Sequence, residues 1–280
     1  MIEQFLDYLK VVKNVSDNTL IAYNKDLCLF RENCLDIVNA SQEDIIKFIK
    51  CLNNYNPSSR NRIIFSSLSS FFNYLISKKI ISENPVKGLE KAKTSKEEIT
   101  VLLDEEIKSL IKYMEGEDDI IKERNILLIK MLQDTGARIS EIVNLKKNDV
   151  IGTKVKIHGK GNKQRTNFIL DKTKTYLNKV ILDFAYYGNF EFIFIDKKGK
   201  KLSRTNAYNI IHDTAIMIGL EKKVTPHIFR HTFATKYLAN GGTESGLRKL
   251  MGWSSNKMLD VYRHINLHDL ENEYKRTMKK

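Results

Sequence analysis

The sequence predicts a mainly α-helical protein carrying one small β-hairpin or sheet, arranged as an N-terminal helical bundle followed by a mixed α+β domain. Three observations predict it. Capped amphipathic segments recur along most of the chain, period-two alternation is concentrated in one stretch near residues 154–170, and a charged, aperiodic stretch, LEKAKTSKEEI at 89–99, divides the halves. A chain of 280 residues without a repeat is long enough for two cores. The expected division is a helical domain at 1–90, a linker at 91–98 and a second domain at 99–280.

In the first domain Ile2 to Val12 reads as an amphipathic helix, and Ser16 opens a second that runs through Arg31. Ser41 with Asp44 three residues on is a capping box for Ile45 to Leu52. Pro57 and Ser58 introduce a long apolar helix from about Arg60 to Ser77, ending before Pro85. Four helices with short connections make a small bundle. Arg60, Asn61 and Arg62 open its last helix, where they can face phosphates or simply be solvated.

Beyond the linker, Asp104 is expected to cap a helix with Ile107, Leu110, Ile111 and Met114 on its apolar side. A second helix, about Asp119 to Gln133, runs into DTGARISEIVNLKKNDV. Gly136 suits the left-handed position that ends a helix, so Arg138 emerges at a tight turn into the next short helix. The hairpin follows: Val155 and Ile157 alternate with lysines, 159–162 turns, and Phe168 to Leu170 returns. Residues 154–174 carry Lys154, Lys156, Lys160, Lys163, Arg165, Lys172 and Lys174 against Asp171 alone, enough charge to follow a phosphate backbone. FEFIFID at 190–196 reads as a short strand, and Thr205 to Ile218 as a helix where Arg204 and Asn206 could touch phosphates.

The formal net charge of +13 points to a polyanionic partner. It is unevenly spread: residues 1–98 hold 14 Lys and Arg against 12 Asp and Glu, and residues 99–280 hold 33 against 22. No long run of like charge occurs, so the protein reads as folded and basic rather than as a basic tail. Cys28, Cys34 and Cys51 are odd in number and lack metal-site spacing, as expected of reduced thiols in the cytoplasm. The opening MIEQFLDYLK carries early acids and no apolar core, which argues against a signal peptide or membrane span.

The strongest chemistry lies at 225–262. Thr225 reads as an N-cap, Pro226 as the first helical residue and Gly241 as the stop, so His227 and Arg230 share a face in the first turn. Unpaired N–H groups and the positive end of the helix dipole make that turn suited to a phosphate. His227 and His231 are four apart, but the zinc-hydrolase pattern needs Glu where Ile228 stands, so no metal is expected. No strand leads into a G-x-x-x-x-G-K-[ST] motif, which excludes a nucleotide P-loop. Tyr262, among Met258, Leu259, Val261 and Ile265, is either a core residue or a chemical one.

Taken in order, T-G-x-R-x-S-E at 135–141, G-K-G-N-K-x-R at 159–165, H-x-x-R-H-T-F-A-T at 227–235, L-M-G-W at 250–253 and a tyrosine nine residues after Trp253 resemble the tyrosine recombinase (phage integrase) family. The resemblance implies a fold of the DNA breaking-rejoining type, with a core-binding first domain as in the compact Xer-type members. It implies Tyr262 as nucleophile, Arg138, His227 and Arg230 on the scissile phosphate, and Lys160 near the leaving oxygen, with Lys163 the weaker substitute. Trp253 stands where most members have His; its indole can donate a hydrogen bond but cannot carry a proton. Arg60, Arg62, Lys163, Arg165 and Arg204 are the expected DNA-binding cations outside that set.

The chemistry follows from the residue types. A tyrosine with a pKa of about 10 is ionised about once in a thousand near pH 7, so attack on phosphorus needs deprotonation and charge neutralisation. Arg138 and Arg230 can neutralise the non-bridging oxygens without a metal, His227 is expected to assist Tyr262, and Lys160 to protonate the departing 5′ oxygen. The resemblance further implies a 3′-phosphotyrosyl link, no cofactor or ATP, and four protomers acting on two DNA duplexes, with 267–280 as a docking helix or a monomeric cap. The expected activity is site-specific recombination, against a type IB topoisomerase-like enzyme or a DNA-binding regulator without catalysis.

Overall fold

The computed structural model describes residues 1–94, 100–115, 119–159, 161 and 163–262. The chain divides into two compact units, Met1–Glu97 and Glu98–Lys280. Among the described residues the secondary structure is helical apart from one three-stranded antiparallel sheet and two isolated bridges, the expected class. The segment 267–280, read as a docking helix or a cap, lies outside the described residues.

The first unit contains α1 (Ile2–Val11), α2 (Asp17–Asn33), α3 (Gln42–Cys51), α4 (Pro57–Arg62) and α5 (Ser69–Ser77). The Ser41–Asp44 capping box forms, each residue's side chain accepting from the other's backbone N–H at 3.2 and 3.0 Å. Asn56 caps α4 by accepting from the Ser59 N–H at 2.8 Å, with Pro57 at the first helical position. The long apolar helix expected at 60–77 is interrupted: between α4 and α5 the chain widens into a π-helical segment, Ile63–Leu68. Apolar periodicity is blind to such a turn, because helical faces persist through it. Ser67 of this segment reaches the buried Asp26 of α2 at 2.5 Å, and Arg62 places both terminal nitrogens on the same carboxylate. Around them Phe5, Phe30, Phe48, Phe71 and Phe72 form an aromatic core, with Phe30 and Phe48 edge to face at 5.0 Å. The Asn61 amide pairs with the backbone of Ala92 in both directions.

The second unit is built on α7 (Ile120–Thr135), whose residues Ile126 to Ile129, Met131 and Leu132 are all buried; a helix apolar on every side belongs inside. Packed on it are α6 (Asp104–Met114), α9 (Asp171–Ala185), α10 (Arg204–Met217) and α11 (Pro226–Ala239). Asp104 is not the cap of α6 but its first residue; Leu103 takes the N-cap position, its N–H donating to Glu106 Oε2 at 2.7 Å. The Asp104 carboxylate instead pairs with Lys236 of α11. The sheet runs in the order β1 (Val150–Ile151), β2 (Lys154–His158), β3 (Gln164–Phe168). FEFIFID forms no strand. Ile193, Phe194 and Ile195 are all buried, so no face is left to alternate, and the segment makes isolated bridges, Lys146 to Phe192 and Ile195 to Lys201. After α11 the short α12 (Glu244–Met251) is capped by Thr243 and ends at left-handed Gly252, before a 3-10 turn at Asn256–Met258 leads to Tyr262.

Candidate active site

The site begins where α7 ends. Gly136 terminates the helix at φ +58, where a β-carbon would also lie 2.5 Å from the Phe233 ring, so backbone and space both demand glycine. Its carbonyl accepts from Arg230 Nη1 at 2.8 Å, and Met251 at the end of α12 accepts from Nη2 at 2.6 Å. Arg230 is 7% exposed and is thus held between the negative ends of two helices rather than by a carboxylate. Burial, followed by the charge of Arg138, pushes its pKa down to about 10, so it remains a cation at neutral pH.

Two residues past Gly136, Arg138 takes the N-cap position of α8 (Ile139–Ile142). Its backbone N–H and Nη1 both reach the Glu141 carboxylate, at 2.8 and 3.0 Å. The other partner of that carboxylate is Arg165, which grips it with Nη1 at 3.0 Å and Nη2 at 2.8 Å while Nε donates to the Leu250 carbonyl at 2.7 Å. Burial opposes the Glu141 charge, but the Arg165 hydrogen bonds, the Arg138 N–H and the two guanidinium charges outweigh it and hold its pKa below the usual value. The Glu141 carboxylate thus ties Arg138 to Arg165.

Arg165 corrects the sequence reading. It was expected to face DNA, yet its side chain is 11% exposed and turned inward. Strand register explains this. Ile157 opposes Arg165 and Val155 opposes Asn167, so Arg165 shares the buried face of the hairpin. Lys163 is exposed at the turn, where its carbonyl accepts from the Gly159 N–H at 2.8 Å. Lys160 lies outside the described residues.

The first turn of α11 begins at Pro226, with Thr225 in the N-cap position but without a side-chain capping bond. His227 is exposed beside Arg230; partial burial and then the charges of Arg230, Arg138 and Arg204 lower its pKa below 6.5, leaving a neutral imidazole near pH 7. Arg204, at the start of α10, is exposed and joins this group of cations. In the first unit the remaining expected DNA contacts are placed differently. Arg60 is half-buried with its Nε lacking a hydrogen-bond partner, and Arg62 donates from both terminal nitrogens to Asp26 while its side chain remains 47% exposed.

Tyr262 is 1% exposed, its ring stacked on Trp253 at 5.7 Å and 22°. Trp253 in turn carries the Arg230 guanidinium over its ring at 5.7 Å. The Tyr262 hydroxyl does not meet His227, the expected assistant, but His231 Nδ1, at 2.5 Å. His231 lies one turn further along the same face of α11, and the sequence reading weighed it only as a metal ligand. The i, i+4 spacing was visible; what it would face was not. Burial pushes the Tyr262 pKa up to about 12, against a smaller opposing effect of Arg230. Among the described residues no group of three or more His, Cys, Asp or Glu is placed to hold a metal ion, and no helix is long and apolar enough to cross a membrane.

Comparison with known proteins bears on this geometry. Residues 100–268 match the phage integrase family model, and residues 2–79 match the model for the phage integrase N-terminal SAM-like domain. A tyrosine recombinase XerC of Leptospira interrogans is 30% identical over 98% of this chain and 91% of its own length. A XerH site-specific recombinase bound to palindromic difH in a post-cleavage complex superimposes with a TM-score of 0.77 at 20% identity, covering 98% of this chain and 84% of that one. A lambda integrase tetramer bound to a Holliday junction gives 0.75 at 19% identity, covering 91% of this chain and 78% of that one. The whole-length relationship and the matched family models show that the chain belongs to the phage integrase family and is a tyrosine recombinase.

Proposed function

We propose that the protein cuts and rejoins double-stranded DNA at a specific site through Tyr262, with Arg138 and Arg230 binding the non-bridging oxygens of the scissile phosphate. The observation that carries this reading is the convergence of two arginines from distant segments on one turn: Arg230 donates to the carbonyl of Gly136, and Arg138 emerges two residues later. Neutral His227 at the same mouth supplies a further donor. Attack by the Tyr262 oxygen forms the phosphotyrosyl bond at the 3′ end as the 5′ oxygen leaves, taking a proton from Lys160. Trp253 supports the nucleophile by stacking and carries no proton. The ester retains the energy of the broken bond, so a second 5′-OH reverses the step without ATP or metal.

The second unit would carry this chemistry and the first would bind DNA, with Lys163 and Arg204 as phosphate contacts. Four protomers on two duplexes in the cytoplasm is the assembly we favour, supported by likeness to recombinases solved as DNA complexes.

The test is a nicked suicide substrate carrying a candidate site from beside the gene, run on a denaturing gel with wild type and Tyr262→Phe. A covalent adduct from wild type alone, formed in the presence of a chelator, is expected. An adduct that persists in the Phe variant would move the nucleophile elsewhere.

A further inference from the structure

A nucleophilic tyrosine must lose its proton, and burial has made that harder here: with a pKa near 12, only about one Tyr262 in 10⁵ is ionised at pH 7. The proton therefore needs an acceptor at the oxygen. Of the described side chains that surround Tyr262, Arg230 is a cation and Trp253 has only a donor. His231 brings a basic lone pair to it: its Nδ1 lies 2.5 Å from the hydroxyl oxygen, with the two rings inclined at 36°.

Resting on the reading of Tyr262 as nucleophile, we propose that His231, rather than His227, is the catalytic proton acceptor, taking the Tyr262 hydroxyl proton on Nδ1 as the oxygen attacks phosphorus. The electrons balance: the O–H pair becomes the new O–P bond, the P–O5′ pair leaves with the 5′ oxygen, and Lys160 protonates that oxygen. On religation the 5′-OH returns its proton to Lys160, and the departing tyrosine oxygen recovers its own from His231.

The surroundings make the transfer dependent on DNA. The groups facing His231 are His227 and Arg230 on its own helix and Tyr262 opposite; burial, then His227 and Arg230, disfavour the imidazolium. Without DNA the proton stays on the tyrosine. A phosphodiester drawn to Arg230, Arg138 and the neutral His227 brings a negative charge that offsets the arginine charges and makes His231 a stronger base. The same bond thus holds the nucleophile neutral at rest and deprotonates it when substrate arrives.

His231→Asn separates proton acceptance from placement, because its amide can stand where Nδ1 stands and accept a hydrogen bond but cannot carry a proton. On the suicide substrate at saturating DNA the variant is expected to form the adduct about 10²-fold or more slowly. Its rate should climb about tenfold per pH unit between 7 and 9, as tyrosinate becomes available without an acceptor, while the wild-type rate stays level. A 5′-bridging phosphorothiolate, whose sulfur leaves without protonation, should rescue Lys160→Ala but not His231→Asn. A His231→Asn rate within threefold of wild type, or a pH profile as level as the wild type's, overturns the proposal. Nitrogen-15 NMR of wild-type histidines is independent of any variant's folding. Protonation on Nε2 with a bare Nδ1 supports the acceptor role, and a proton on Nδ1 at rest refutes it. The Tyr262→Phe lane on the same gel tells the two readings apart: an adduct there defeats the nucleophile assignment, whereas its absence with an unaffected His231→Asn defeats only this inference.

Discussion

Each unit buries an acid under arginine, and the two clusters differ in their charge balance. In the first unit Asp26 meets a single guanidinium, Arg62, plus the Ser67 hydroxyl, so one anion cancels one cation. In the second, Glu141 meets Arg138 and Arg165 while Arg230 lies close enough to feel all three charges. Three guanidinium groups against one carboxylate leave two positive charges, which is what a pentacoordinate phosphorus with two negative oxygens requires. A balanced cluster ties helices together. An unbalanced one awaits an anion, and the surplus is kept tolerable by helix-terminal carbonyls around Arg230.

The contrast can be broken most sharply at Arg230. Arg230→Ala should slow adduct formation by about 10² to 10³-fold at saturating DNA, the usual cost of losing one oxyanion donor, whereas Arg62→Ala should leave the saturated rate near wild type. Equal losses in gel-based single-turnover rates would erase the distinction.

Next in size is stability. Glu141→Gln strands Arg165 in a site where both side chains are nearly covered, and should cost about 3 kcal/mol in urea unfolding. Asp26→Asn should cost less, about 1 to 2 kcal/mol, because the Arg62 side chain is 47% exposed and can be rehydrated. A pH series sharpens this. The folded-state pKa of Glu141 lies below its unfolded value of 4.5, so its contribution is complete above about pH 4.5 and is lost as pH falls through the lowered pKa. The gap between wild type and Glu141→Gln should narrow below that point.

The smallest effect belongs to a cation outside both clusters. Lys163→Ala should reduce the slope of log affinity against log salt by about one and leave the saturated cleavage rate unchanged, as titration of DNA binding at several salt concentrations would report.

What could be read from sequence divides along physical lines. Gly136, Arg138, Pro226 and Gly241 were legible because helix ends are local events with residue-specific chemistry. His227, Arg230, Trp253 and Tyr262 carried family motifs. Arg165 was misread because five cations fall within residues 154–168 and only cross-strand register decides which face a strand residue takes. The Asp26, Arg62 and Ser67 triad and the meeting of His231 with Tyr262 are contacts between segments far apart in the chain, and no local pattern announces them. FEFIFID failed as a strand for the opposite reason: its apolar run marks burial, but neighbours, not composition, determine whether it pairs.

Tyr262, the proposed nucleophile, does not belong to the main core of its unit. Tyr262 packs with Ala234, Leu238, Leu247, Met251, Trp253 and Leu259 in a small separate cluster, while the core around α7 extends over many more side chains. Segments sealed by few apolar contacts open at a lower free energy than the whole domain. Backbone amides from Leu247 to Tyr262 should therefore exchange with deuterium before those of α7. The tyrosine can be released and returned while the arginine-bearing turn behind it keeps its fold.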